Sequence, residues 1–248
     1  MAVFSRRSLF IAALGTPVAI IMRRADAATT PEEAWASVLR DRVDAQGRVD
    51  FAGLQREPAM LDRYVAHIAA TPASRFADRR ERLAYLVNAY NALAMAHVIG
   101  AGIPDRLALL GRARFFKLSK ETLGGQRISL YDLENDVIRP MGEERVHFAL
   151  NCMSVSCPRL PRVPFNGLAL DEQLDAAARL FFSEPRNVQV DDRRRVVRVS
   201  SILDFYTADF LQHAPSLIAY VNRWRVPAVP DAYRVAFLEY DWTINRQP

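Results

Sequence analysis

Cysteine is scarce in this chain: its 248 residues hold two, Cys152 and Cys157. Two cysteines form one bridge at most, so the fold must rest on an apolar core and not on a disulfide framework. Half of the residues are hydrophobic, enough to build one good core. Gly/Ser linkers, internal repeats and low-complexity tracts are missing, which argues against tethered modules and for one domain. Lysine is scarce too. Lys117 and Lys120 are the only two and arginine supplies the other cations, a bias of GC-rich coding that carries no function. Beyond the N-terminus no apolar run is long enough to span a bilayer.

The N-terminus reads as an export signal. Ser5-Arg6-Arg7-Ser8-Leu9-Phe10 is a twin-arginine pattern, Leu9 to Met22 is apolar, and Ala25-Asp26-Ala27 offers small residues at a cleavage site. The apolar run is shorter than the roughly 20 residues a spanning helix needs. Cleavage after Ala27 would leave residues 28–248 as one periplasmic or secreted domain, with no stable membrane span. Residues 1–27 carry four arginines and one aspartate of the chain's 33 basic and 28 acidic residues; the remainder has 29 and 27, a net of +2. So even a balance gives no reason to expect a nucleic-acid partner. Arg193-Arg194-Arg195 follows Asp191 and Asp192 directly and reads as a solvated hairpin tip. No cofactor is expected; the partner class left open is a small molecule or a peptide.

Patterning predicts α+β, with several helices packed on a small, mostly antiparallel sheet. Thr30-Pro31-Glu32-Glu33 is a capping box opening a helix that runs to about Arg42. A second helix is expected over Pro58–Ala70. The longest helical signal is 77–99, where Leu83, Leu86, Val87, Tyr90, Leu93, Ala94 and His97 recur at helical steps. Asn88 and Asn91 lie beside that face, placed either to tie down a loop's backbone or to meet a ligand. Phe115–Leu118 and Arg127-Ile128 read as a hairpin across Gly124-Gly125. Ser129 caps a helix to about Arg139, on which Glu134 points inward. A carboxylate there must be paired, with an arginine as the ordinary partner. Arg145–Leu150 reads as a core strand, 151–169 as a proline-rich loop, and Asp171–Phe182 as a helix. A hairpin over Val188–Val190 and Val196–Val199, helices over Ser201–Leu211 and Ser216–Trp224, and a strand over Tyr233–Trp242 complete the chain. Strands come in hairpins, without strand–helix alternation, which favours α+β over a doubly wound sheet. His67 and His97 sit on apolar helix faces and His213 near a helix end, all three in structural positions.

The chemistry concentrates in His147–Leu160, HFALNCMSVSCPRL, which holds both cysteines and one of the four histidines. Four segments in order carry a resemblance. They are YLVNAYNAL at residues 85–93, ISLYDLE at 128–134 continuing to Ile138-Arg139-Pro140, HFALNC…SCPRL at 147–160, and SILDFY at 201–206 with Asp209-Phe210. Together with Tyr240-Asp241-Trp242 they resemble the bacterial and plant "domain of unknown function 547" family, over roughly residues 75–215. Leu86 stands where the family usually has tryptophan and Asn135 where it usually has histidine. The resemblance implies no established activity. It groups Asn88, Asn91, Glu134, Arg139, His147, Cys152 and Cys157 as signature positions expected to converge.

Three readings of the segment stay open. In thiol catalysis, Cys157 or Cys152 is the nucleophile, His147 the base, and Glu134 or Asn88 orients the imidazole. This would make the protein a thiol-dependent hydrolase or acyl transferase with Cys157, His147, Cys152, Glu134 and Asn88 as catalytic candidates. A helix against a histidine-bearing strand would also suit papain-like or transglutaminase-like folds. In those, however, the cysteine opens the central helix, which here carries Asn88. In the second reading Cys152 and Cys157 form a disulfide, suited to an oxidising compartment. It would shape the loop of a non-catalytic binding module or be redox-active, and would close a loop contributing roughly 2 kcal/mol. In the third, His147, Cys152 and Cys157 ligate a metal with an open position.

Overall fold

The computed structural model describes residues 29–248. The expected export signal at 1–27 lies outside them.

The first layer is helical: α1 (Pro31–Arg42), α2 (Phe51–Arg56), α3 (Ala59–Ala70) and α4 (Arg79–Gly100). Thr30 and Glu33 form the expected capping box, which sets the start of α1. Asp78 accepts from the amides of Arg80 and Glu81 and starts α4. Nearly every residue of α4 from Leu83 to Met95 is buried. It is the one helix among the described residues long and apolar enough to cross a membrane, and 83% of its apolar window is buried in the protein. It is therefore the central core helix, wrapped by α1, α2 and α3. The sequence pattern missed α2, whose cap Asp50 accepts from Gly53 N at 2.7 Å. The signal there is one short turn, too brief for helical periodicity to show.

The next segment departs from expectation. Where Phe115–Leu118 is expected as a strand, Arg114–Leu118 instead continue the helical turn of α5 (Leu109–Ala113) as a wide π turn. Phe115 goes inward and meets His97 edge-on at 5.4 Å. The aromatic pair Phe115-Phe116 has strand propensity, but burial against α4 overrides it. The hairpin begins later, as β1 (Lys120–Leu123) and β2 (Gln126–Ser129). Gly124 and Gly125 make its turn with φ of +56° and +84°, as a two-residue hairpin requires. A Cβ at Gly124 would sit 2.3 Å from Pro72 Cα, so the turn also needs glycine for space.

Ser129 caps α6 (Leu130–Asp132), which widens into a π stretch over Leu133–Ile138 and ends in a 3-10 turn at Arg139–Met141. Where Arg145–Leu150 is expected as a strand, Glu144–Phe148 instead form a 3-10 turn. Short apolar runs do not distinguish strand from buried helix, and here polar anchors decide. Glu143 caps the Arg145 amide, and the Arg145 guanidinium is held by Glu143, Asp171 and Asp175. Among the described residues no strand pairs with the segment.

Past the proline-rich loop come α7 (Leu170–Ser183), β3 (Val188–Asp191), β4 (Val196–Ser200), α8 (Ile202–Phe205), α9 (Thr207–Leu211), α10 (Leu217–Asn222) and β5 (Arg234–Leu238). β3 pairs antiparallel with β4, and β5 adds to β4 in parallel. The fold is α+β, with two small sheets where one was expected and two of three pairings antiparallel. Two apolar cores result, one around α1–α4 and one around Phe148, Phe181, Phe182, Phe210 and Tyr220. Each phenylalanine-sized side chain contributes roughly 2–3 kcal/mol by burial. Residues 146–150 stitch the two together: Phe148 joins the second core, while Val146, Ala149 and Leu150 join the first.

Candidate active site

A cavity of about 70 Å³ opens along that seam. His147, Cys152, Cys157 and Glu134 line it together with Tyr90, Tyr206 and Tyr240. Four of the five candidate residues therefore meet. The fifth, Asn88, does not line it. Its Oδ1 accepts from Trp35 Nε1 and from Phe165 N, both at 3.1 Å, and its Nδ2 donates to Phe165 O at 2.7 Å. Asn88 thus fixes the end of the proline-rich loop. Asn91 does the same for the beginning: Nδ2 donates to Ala149 O at 3.0 Å and Oδ1 accepts from Asn151 N at 2.8 Å. These two amides satisfy backbone groups that an irregular buried loop would otherwise orphan.

The cysteine loop is held rigid on every side. Asn151 donates to Pro158 O at 2.7 Å and accepts from Met153 N at 2.7 Å. Met153 is in the left-handed region at φ +65°. Outside, residues 241–245 lie along the loop: Val155 N donates to Thr243 O, Ser156 N to Asp241 O, and Asn245 N to Met153 O. The closing segment of the chain thus carries Tyr240 to the sulfurs.

Cys152 and Cys157 are both free thiols, their sulfurs 2.8 Å apart. The surroundings treat them differently. The Cys152 amide donates to Cys157 Sγ at 3.1 Å. The Tyr240 hydroxyl lies 3.3 Å from the same sulfur and accepts in turn from Ser154 Oγ at 3.1 Å. Burial raises the Cys157 thiol, but hydrogen bonds from Cys152, Ser154 and Tyr240 outweigh it and bring it down to about 6. Cys152 moves the other way, because its hydrogen bond to Cys157, burial and the charge on Cys157 all favour its neutral form. Tyr240 stays protonated, since burial and the adjacent sulfurs push it up. The surroundings therefore favour the thiolate at Cys157 and the neutral thiol at Cys152.

His147 lines the same cavity, with its Nε2 engaged by Asp209. Its ring stacks on Tyr206 at 3.8 Å and 19°, and Nε2 lies 2.8 Å from Asp209 Oδ2. Arg139 grips the same carboxylate through Nε and Nη2, both at 2.8 Å. The His147 hydrogen bond first, and Arg139 second, hold Asp209 below the usual carboxylate range against the opposing effect of burial. The group expected to orient His147 was Glu134 or Asn88; the orienter is Asp209. Glu134 instead accepts from the Tyr90 hydroxyl at 3.1 Å and from the Tyr206 hydroxyl. The expected arginine partner is replaced by two phenols. Asn135, the departure from the family pattern, accepts from Arg139 and donates to Tyr131 O.

Among the described residues no group of three His, Cys, Asp or Glu side chains is placed to hold a metal. The geometry gives the metal reading of His147, Cys152 and Cys157 no support, and Nε2 of His147 is engaged by Asp209. His97 and His213 are tied to Glu121 and Glu144, and His67 lies near Glu32.

Residues 74–182 match the family model described as "Protein of unknown function, DUF547". The chain carries a DUF547 domain. The match brings a domain type and no activity. No curated protein and no solved structure matches the chain. The DUF547 segment contains Asn88, Asn91, Glu134, Arg139, His147, Cys152 and Cys157. Tyr206, Asp209 and Tyr240 lie C-terminal to it, yet they complete the site. Sequence reasoning missed these three as functional positions. Their signal was available, since SILDFY, Asp209-Phe210 and Tyr240-Asp241-Trp242 all belong to the resemblance.

Proposed function

We propose that the DUF547 pocket of this protein is a thiol–disulfide exchange site, with Cys157 attacking and Cys152 resolving. The carrying observation is the asymmetric pair: the sulfurs are in contact and share Ser154 and Tyr240, while the Cys152 amide donates to Cys157 alone and the Tyr240 hydroxyl lies nearer to Cys157. A low-pKa attacking thiolate beside a protonated partner is what exchange requires. The Cys157 thiolate attacks one sulfur of a substrate disulfide. A mixed Cys157–substrate bond forms, the substrate S–S bond breaks, and the departing thiolate takes up a proton. Cys152 then gives up its proton to solvent, and its sulfur attacks Cys157 Sγ. The mixed bond breaks, the second substrate thiolate leaves, and a Cys152–Cys157 disulfide remains. The substrate has gained two electrons and the pair has lost them; the reverse sequence oxidises a dithiol. A cavity of about 70 Å³ holds the tip of a disulfide and little more, which fits an exposed disulfide on a peptide or small molecule. The twin-arginine pattern supports an exported, oxidising location for such chemistry.

His147 with Asp209 on the same cavity supports a second reading, the thiol-dependent hydrolase or acyl transferase. Cys157 would attack an acyl carbon to give a thioester, and the imidazole would protonate the leaving group. The C152S variant separates the two. Exchange predicts that C152S stalls as a mixed disulfide on Cys157 when given a disulfide peptide, detected by non-reducing mass spectrometry. Acyl transfer predicts that C152S turns over normally and that Cys157 labels with an acyl probe in a His147-dependent way. If neither adduct forms on Cys157, both readings fall and the loop is structural.

A further inference from the structure

Residues 106–120, RLALLGRARFFKLSK, hold both lysines of the chain and three arginines, with no acidic residue. This segment by itself carries a charge equal to the whole chain's net of +5. Leu109, Leu110 and Leu118 are 72%, 86% and 73% exposed, and Tyr131, packed beside them, is 41% exposed. Single exposed leucines need no explanation; three on ten consecutive helical residues, interleaved with cations, do. Leu110, Ala113, Arg114, Lys117 and Leu118 share one face of the turn formed by α5 and residues 114–118, and all are exposed. Lys117 Nζ lies over the Tyr131 ring, 4.3 Å from its centroid, so cation and exposed aromatic share this face. The acidic groups nearby are Asp105, which directly precedes the segment and pairs with Arg246, together with Asp132 and Glu121, and Glu121 is occupied by His97.

We infer that this face docks on an anionic membrane surface, its leucines entering the headgroup boundary and its cations meeting lipid phosphates. Charge decides the occupant. A second copy of the face would oppose cation to cation, whereas an anionic bilayer matches both its apolar and its basic parts. The opposite side of the same segment builds the catalytic cavity: Phe116 lines it, and Arg112 lies over Trp242, another lining residue, at 4.6 Å. Docking would therefore set the cavity wall next to the bilayer. This inference does not depend on which thiol reaction the cavity performs.

Hydrogen exchange on the full chain tests it, because the readout is local and ignores whatever residues 1–28 do. Vesicles of phosphatidylglycerol and phosphatidylethanolamine should slow exchange in the 106–118 peptides, and phosphatidylcholine vesicles should not. The R114A/K117A variant should need about 20- to 30-fold more anionic lipid for the same protection, from roughly fivefold per cation. L110D/L118D should lose the protection while exchange in α4 stays unchanged, showing that it folds. Unchanged exchange in 106–118 with anionic vesicles would overturn the inference. So would protection that grows with protein concentration in the absence of lipid, which would make the face a contact between copies.

Discussion

His147 Nε2 lies 2.8 Å from Asp209 Oδ2, across 62 residues of chain. The contact joins a 3-10 turn of the DUF547 segment to α9, which lies beyond it, and Arg139 completes the clamp. The imidazole is thereby fixed on one side by its hydrogen bond to Asp209 and on its face by Tyr206.

The clamp makes stability acid-sensitive. The folded-state value of Asp209 is depressed, so its contribution is fully present above the unfolded value near pH 4 and disappears as pH falls through the lower folded value. D209N should cost about 2 kcal/mol at pH 7 in urea unfolding, the worth of hydrogen bonds to a charged group. The gap between wild type and variant should begin to narrow below about pH 4 and keep narrowing as pH falls further. A gap that is constant from pH 7 to pH 3 would show that charge is not what holds the contact.

Thiol reactivity should follow the asymmetry of the pair. Cys157 is lowered to about 6, so iodoacetamide should label it at a rate that is flat above that pH and falls below it. An unperturbed thiol would titrate near 8.5. Removing a donor with Tyr240→Phe should move the midpoint upward. Labelling that falls first on Cys152, read by peptide mapping, would reverse the assignment of thiolate and thiol.

Glu134 is expected to be structural for the cavity wall. Glu134→Ala would leave the Tyr90 and Tyr206 hydroxyls buried without a partner, costing roughly 3–5 kcal/mol. A double-mutant cycle with Tyr206→Phe should show strong coupling, and additive effects would mean that the two do not interact.

The two asparagines should separate. Asn91→Ala removes bonds to Ala149 and Asn151 and should cost about 2–4 kcal/mol while loosening the cysteine loop. Asn88→Ala should cost a similar amount through Phe165, leaving the pH profile of Cys157 alkylation unchanged. Equal effects of both on that profile would place Asn88 in the site after all.

Much of this was legible in one dimension. The capping box of α1, the run of α4, the glycine turn, the inward Glu134 and the thiol-bearing loop follow from local chemistry, because caps and periodicity are properties of neighbours. Two errors share a cause. Phe115–Leu118 and Arg145–Leu150 are short apolar runs whose backbone is decided by what they pack against, α4 in one case and the Arg145 ion pairs in the other.

The sequence by itself determined the α+β class, the DUF547 domain and the gathering of two thiols and an imidazole in one loop. Only the tertiary structure decided how those groups are used. It turned His147 toward Asp209, gave Glu134 two phenols, and brought Tyr240 to Cys157 from the far end of the chain. The reason is physical: a pKa and a hydrogen bond depend on distance through space, and the groups that polarise this pair are separated from it by up to 88 residues of chain.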